Sequence, residues 1–451
     1  MTNSAPKTEA ARLSRPSFAA RYFGLERAGT TLGREVTAGV TTFVTMSYII
    51  VVNPAVLKAA GIPAEPAMVA TIVTAIFGTL LMGLYANRPF AIAPYMGENA
   101  FIAYTVVQVL GYSWQAALAS VFIAGLLFLL LTVVRLRQWL VDAIPSALRY
   151  SFAVGIGLFL TFVGLNETGI VMLGTQGAPV RTGHVTSAPV LVAIFGFVLM
   201  AVLMIRRFPG AILGGIVTTA LVAFATKVAP APHGWISLPP GLSPVLFKLD
   251  LKSAWSWGFF PVVLTIFVMA FVDTMGTLIG VSARAGFLDE NGNLPQIERP
   301  MIADALSTTF AALVGTTTSG AFIESATGVE AGGRTGLTAI VTAVCFAGTL
   351  FFSPFVAAIP PQAYGPALIV VGLLMLAPIT KIRFDDFTEL IPAFAVVALM
   401  SFTYNIGVGI TAGFVLYPFC KLVAGRFREV KPGLWVLAGL SLLFFVFYPY
   451  T

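Results

Sequence analysis

Apolar runs follow one another from residue 36 to residue 422, fourteen in all, with short polar or Gly/Pro-containing stretches between them. About 20 such residues carry a helix across the ~30 Å hydrocarbon core of a bilayer. Inside that core each backbone N–H and C=O has to be satisfied within the protein, which a continuous helix does by itself. Composition agrees: 58% of the residues are hydrophobic and 10% charged, against roughly 25% charged in soluble domains. The expected fold is an all-α polytopic membrane protein.

The runs cover 36–57, 67–85, 90–110, 114–134, 148–169, 188–205 and 210–226. After a Pro/Gly-rich loop at 227–252 come 257–281, 301–315, 316–332, 337–355, 366–379, 387–404 and 406–422. Bases test the count, because Lys and Arg gather in cytoplasmic loops. With the N-terminus inside, Arg88, Arg135, Arg137, Arg206, Arg207, Arg284, Arg299, Arg334, Lys381, Arg383, Lys421, Arg426 and Arg428 all fall on the cytoplasmic side. The outside loops hold Lys58, Arg181, Lys227, Lys248 and Lys252. Residues 1–27 are polar and basic with no apolar stretch, so they read as a cytoplasmic tail and not as a cleavable signal. The net charge of +7 thus reflects topology rather than nucleic-acid binding. Residues 434–448 are apolar again and are expected to lie along the interface, since a crossing would be short.

Seven segments in each half make the halves enter from opposite sides, the inverted-repeat plan of many secondary transporters. Faint echoes support it. TTFVTMSYII in the first segment matches TIFVMAFVDT in the eighth, and GENAFIAYT in the third matches GAFIESATG in the tenth.

Two carboxylates lie where hydrocarbon should exclude them: Asp273 in FVMAFVDTMGTLIGV and Glu324 in SGAFIESATGV. Such a group costs several kcal/mol at membrane depth and marks an ion or substrate pathway by default. The third and tenth segments are also interrupted. IAPYMGENAFIAYTV has Pro and Gly ahead of Glu98 and Asn99, and GTTTSGAFIESATGVEAGG has a Thr/Ser/Gly entry and a Gly-rich exit. Each reads as a short strand followed by a half-helix. Matching interruptions in two halves point to a transporter's binding site, and half-helix N-termini bring free N–H donors to it.

Blander readings stand beside these. Asp273 could be tied to a gap in the backbone, and Glu98 could be solvated in a vestibule. Asp304 is placed at a helix end near Arg299, Glu330 and Arg334 as a pair at the inner mouth, and Asn166 and Glu167 at the end of the fifth segment. DENGN at 289–293 lacks the bidentate Glu of a calcium loop and reads as a turn. Gly155/Gly157 and Gly407/Gly409/Gly413 have no βαβ context and read as packing glycines. Cys345 and Cys420 sit in apolar runs, and His184 and His233 in outside loops, so no disulfide or metal site is expected. There is no ATP-binding motif and no nucleophile–base pair, so neither an ATPase nor another enzyme is indicated, and no cofactor is expected.

Three strings together resemble one family: FGLERAGTTLGREVTAGVTTFVTMSYIIVVNP at the start, DTMGTLIGV in the eighth segment and IESATGVEAGGRTGLTA in the tenth. They are similar to the nucleobase:cation symporters of the AzgA-like branch, the adenine/guanine/hypoxanthine permeases, over nearly the whole chain from Gly24 onward. The resemblance implies a fourteen-span, seven-plus-seven fold. A core domain would comprise 34–135 and 257–356, and a gate domain 136–228 and 357–425. The tail (1–33), the outside loop (229–256) and the C-terminal apolar segment (426–451) complete the chain. It also implies a purine held between the third and tenth half-helices, with Asp273 and Glu324 as the acids and Asn99 as the third-segment amide. Two departures stand out. Family members often read GLNA where this chain has GENA, and often carry an Asp where this chain has Ala270, so Glu98 is expected to take over a charge or proton role.

A purine edge offers N–H donors to carboxylates and acceptors to N–H groups. The candidate substrate-binding set is therefore Asp273, Glu324, Asn99, Glu98, Thr277 and Ser325. Phe271 and Phe322 are candidate stacking rings, with Phe101 nearby. Glu324, Asp273 and Glu98 are the candidates for proton coupling. The function expected is import of purine nucleobases across the cytoplasmic membrane with H⁺ or Na⁺, by an elevator-like movement of the core, in a homodimer. The rivals are a sulfate- or bicarbonate-type anion transporter, which the acids disfavour, and a xanthine/uracil-type permease.

Overall fold

The computed structural model describes residues 18–134, 143–175, 178–255, 259–290 and 294–447. The tail before residue 18, Arg135, Arg137, Trp257 and part of the 289–293 turn lie outside them. Among the described residues, nine helices are long and apolar enough to cross a membrane, with shorter apolar helices at Ala211–Ala225, Phe387–Phe402 and Pro432–Val446.

Each apolar segment falls on one or more elements. Thr31 caps the first helix, Leu32–Met46, by accepting the Arg34 N–H. The segment then tightens at Ser47–Tyr48 and resumes as Ile49–Ala59. Pro54 lies inside that second piece. It lacks an N–H and crowds the Ile50 carbonyl four residues back, just beyond the break. The third segment is a strand, Ile92–Pro94, a turn of α-helix, Met96–Ala100, and a π-helix, Phe101–Val109. The tenth is a strand, Ser319–Ala321, and a short helix, Ser325–Glu330. The eighth is one long helix, Phe260–Ala285.

The first four segments pack mostly against the eighth to eleventh, and the fifth to seventh mostly against the twelfth to fourteenth. In the second group Ser146–Glu167 crosses Pro361–Met375 so closely that a Cβ on Gly157 would stand 2.7 Å from the Gly372 carbonyl. Only small residues permit that approach between membrane helices.

One feature was not legible in the pattern, and one segment read as apolar took a definite form. A hairpin of Val171–Thr175 and Ala178–Thr182 follows the fifth segment. The apolar C-terminal stretch forms a helix, Pro432–Phe447, that packs on Ile406–Val423 and buries Leu434, Leu437 and Phe444.

Candidate functional site

Pro94 disfavours helix at the residue before it, so the chain enters the third segment extended. It pairs antiparallel with the tenth, in the register Ile92↔Ala321, Ala93↔Gly320 and Pro94↔Ser319. Tyr95 N–H donates to the Thr318 carbonyl and Phe322 N–H to the Ala91 carbonyl, both at 2.9 Å. The two interrupted segments thereby satisfy each other's backbone at a depth where water would otherwise be needed. Tyr95 lies across Gly320, where any Cβ would collide with its ring. The Tyr95 and Phe322 rings stand parallel, with centroids 6.2 Å apart. Both half-helices therefore start from one small buried sheet.

Four acids surround this sheet. Glu324 sits at the tip of Ser325–Glu330, half-buried, and its Oε1 accepts from Tyr48 Oη at 2.6 Å. Asp273 is half-buried in the middle of Phe260–Ala285. Glu98 is fully buried, with no hydrogen-bond partner for either carboxyl oxygen. Asp304, also fully buried, accepts the Ala321 N–H at 3.1 Å. Asp304, Asp273 and Glu98 all lie within electrostatic reach of Tyr95, and Asp273 within reach of Glu98. None of the four forms an ion pair with Lys or Arg among the described residues.

The rest of the candidate set divides in two. Asn99 is buried in a polar network: it donates to Asn53 Oδ1 and accepts from Thr317 Oγ1. Asn53 in turn donates to Thr71 at 2.7 Å and Thr316 at 3.0 Å. Ser325 is buried as well, accepting the Ala91 N–H at 3.0 Å. These two side chains hold the half-helices in place. Thr277 instead lies half-buried one turn beyond Asp273, beside the exposed Gly276. Phe271 packs against Phe128 and Phe267.

One face of the site is open. Gly276 and Gly280 have open space beside them, and Ile323, next to Glu324, is 58% exposed. This face leads to the end of the molecule that carries Arg284 and Glu330, whereas none of residues 259–272 is exposed. What the arrangement can do is accept hydrogen bonds on Asp273 and Glu324 from a polar guest that enters by this face.

Two expectations from sequence need correction. Asp304 is not at a helix end near Arg299; it lies inside Glu298–Val314, where it caps a backbone N–H freed at the strand's end. Glu330 pairs with Arg284 at 3.3 Å, not with Arg334, whose guanidinium donates to the Val329 and Gly333 carbonyls. Sequence reading also missed Tyr48, Asn53 and the fully buried Glu35. The NP dipeptide at Asn53–Pro54 was the available signal for a break in the first segment.

The chain matches the model of the permease family over residues 33–416. It is 39% identical to the adenine permease AdeP of Escherichia coli over 427 residues, covering 95% of this chain and 96% of that one. It is 40% identical to the guanine/hypoxanthine permease PbuO of Bacillus subtilis over 431 residues, covering 94% and 99%. The transmembrane domain of the cyanobacterial bicarbonate transporter BicA superposes with a TM-score of 0.64 at 16% identity, covering 85% of this chain and 97% of that one; this likeness concerns the fold alone. On the family match and these relatives, and with its many apolar helices, the chain belongs to the permease family, and is a multi-pass membrane transporter rather than an enzyme.

Proposed function

We propose that the chain imports purine nucleobases (adenine, guanine, hypoxanthine) across the cytoplasmic membrane, coupled to H⁺ or Na⁺. The carrying observation is the pair of half-buried acids, Asp273 in the middle of Phe260–Ala285 and Glu324 at the tip of Ser325–Glu330, beside the strand pair that links the third and tenth segments. Carboxylates there accept from the N–H edge of a purine. The relatives described as adenine and guanine/hypoxanthine permeases support this substrate class. Four acids with no ion-paired base among the described residues weigh against an anion, despite the bicarbonate transporter's shared fold.

The movement is an elevator-like sliding of a core (34–135 and 257–356) against a gate (136–228 and 357–425), in a seven-plus-seven inverted repeat of fourteen spans with the N-terminus inside. The packing preference between the two groups of segments supports the division. The open face then looks toward the cytoplasm. At the opposite end Glu167 accepts from Tyr104 and Tyr364, each at 3.1 Å, and Thr105 Oγ1 donates to the Tyr404 carbonyl at 2.9 Å. Of these, the Tyr104–Glu167 and Thr105–Tyr404 contacts tie core to gate and must break before the outer side opens, while Tyr364 holds Glu167 within the gate. Glu324, Asp273 and Glu98 are the groups that carry the coupled charge, and a homodimer forms through the gate.

The test is uptake of radiolabelled hypoxanthine challenged with adenine, guanine, xanthine, uracil and sulfate, with and without a protonophore. Competition by the purines and collapse on uncoupling are expected. Inhibition by sulfate alone would overturn the assignment.

A further inference from the structure

The first segment is the third interrupted element at the site, and its break presents a side chain to Glu324. Between Leu32–Met46 and Ile49–Ala59 the backbone ladder tightens, with Ile50 N–H bonded to the Ser47 carbonyl and Val51 N–H to the Tyr48 carbonyl, both at 3.1 Å. This turn places Tyr48, 2% exposed, with its phenol O–H on Glu324 Oε1 at 2.6 Å. Distances this short are typical of a hydroxyl donating to a carboxylate.

The segment that carries Tyr48 is packed closely against the tenth segment. One turn earlier the Thr45 hydroxyl meets the Thr327 hydroxyl at 3.0 Å. Thr327 also donates to the Glu324 carbonyl at 2.7 Å. Ala38 and Thr42 lie directly against Gly328. Helix Leu32–Met46 is therefore docked on Ser325–Glu330 through close contacts, and Tyr48 is delivered to the carboxylate by that docking. The torsion that turns a glutamate carboxylate is broad and weakly held on its own. A guest that bonds both to this acid and to a second group needs it fixed in one plane, and a preset acceptor spares the ordering cost on binding.

We propose that Tyr48 is a positioning residue for the substrate: it holds the Glu324 carboxylate in one orientation, leaving Oε2 free to accept from an N–H of the purine. This rests on the purine reading above.

The experiment measures hypoxanthine uptake, and equilibrium binding to the purified protein, for wild type, Y48F, E324Q and the double variant. Y48F is expected to raise KM and Kd about tenfold, the size of one hydrogen bond to a charged group, with Vmax per folded transporter kept within about twofold. In the double variant the loss should not exceed that of E324Q alone, since coupled residues are not additive. An unchanged KM in Y48F, or losses that simply add, overturns the proposal. A merely structural role would lower the yield of folded protein and leave KM in place. Should Y48F fail to fold, Y48H, which keeps an N–H donor, decides: a KM near wild type agrees, and one as high as E324Q overturns. Wild type that neither takes up nor binds a purine would instead defeat the functional reading itself.

Discussion

Thr338 binds Glu35 twice, giving its backbone N–H at 3.1 Å and its hydroxyl at 2.6 Å to the same carboxyl oxygen. Glu35 also accepts the Arg334 N–H at 2.9 Å, and the Thr335 N–H and hydroxyl at 3.3 and 2.9 Å. A fully buried carboxylate on the first segment thus caps Gly336–Thr349 and fastens the exit of the tenth segment.

Removing that cap leaves several buried donors unsatisfied. E35A is expected to destabilise the protein by on the order of 3 kcal/mol, and E35Q by less because it keeps one acceptor. Thermal unfolding in detergent measures this. Melting of E35A at the wild-type temperature would contradict the capping role.

Glu98 is buried without a hydrogen bond to either oxygen, in reach of the Asp273 charge. If it carries part of the coupled charge, E98Q should transport purine with an altered pH dependence while its fold persists, since Gln keeps the shape. Uptake and a pH profile both identical to wild type would remove Glu98 from the coupling.

The Tyr104–Glu167–Tyr364 contact predicts how the open face is populated. E167Q should weaken the closed outer side through the Tyr104 bond that crosses from core to gate, shifting the balance about two- to tenfold for the loss of one hydrogen bond of ~0.5–1.5 kcal/mol. In a background with Cys345 and Cys420 replaced, thiol labelling of G280C from the inner side should slow correspondingly. Labelling at the original rate would show that the contact does not hold that end.

At the ends of the last two segments Lys421, fully buried, faces Asp386 at 3.8 Å, Glu389 at 3.6 Å and Glu429 at 2.9 Å. Arg426 bridges Asp386 at 2.8 Å and Glu429 at 2.6 Å. Hydrogen bonds from Thr388 and Arg426 hold Asp386 below the usual carboxylate range. Those from Arg426 and Lys421 lower Glu429 to about 2. A lowered carboxylate adds stability that is present above its unfolded value of ~4.3 and lost as pH falls toward 2. The melting temperature should therefore hold steady from neutral pH down to about 5 and decline below about 4. In K421M the neutral-pH melting temperature should drop, because three acids lose their buried cation. A wild-type melting curve indifferent to acid would refute this account.

Much of the site was visible in the chain, for reasons specific to each residue. Asp273 and Glu324 stood out because hydrocarbon penalises charge wherever it occurs. Pro94 and the Thr/Ser/Gly run at 316–320 announced interruptions because they weaken a helix locally. Tyr48 and Glu35 did not stand out. A tyrosine in an apolar run is ordinary, and an acid near a helix start reads as a dipole partner, so neither shows which distant segment it will bind.

Sequence alone determined the class of molecule and the family, because burial in lipid is written residue by residue and three strings were specific enough to recognise. Tertiary structure decided the partners. Asn99 turned into a network with Asn53, Asp304 reached the tenth strand, and Tyr48 reached Glu324 across 276 positions. Hydrogen bonds are directional and act over about 3 Å, so which acid meets which donor follows from how the segments cross, and no local pattern encodes that.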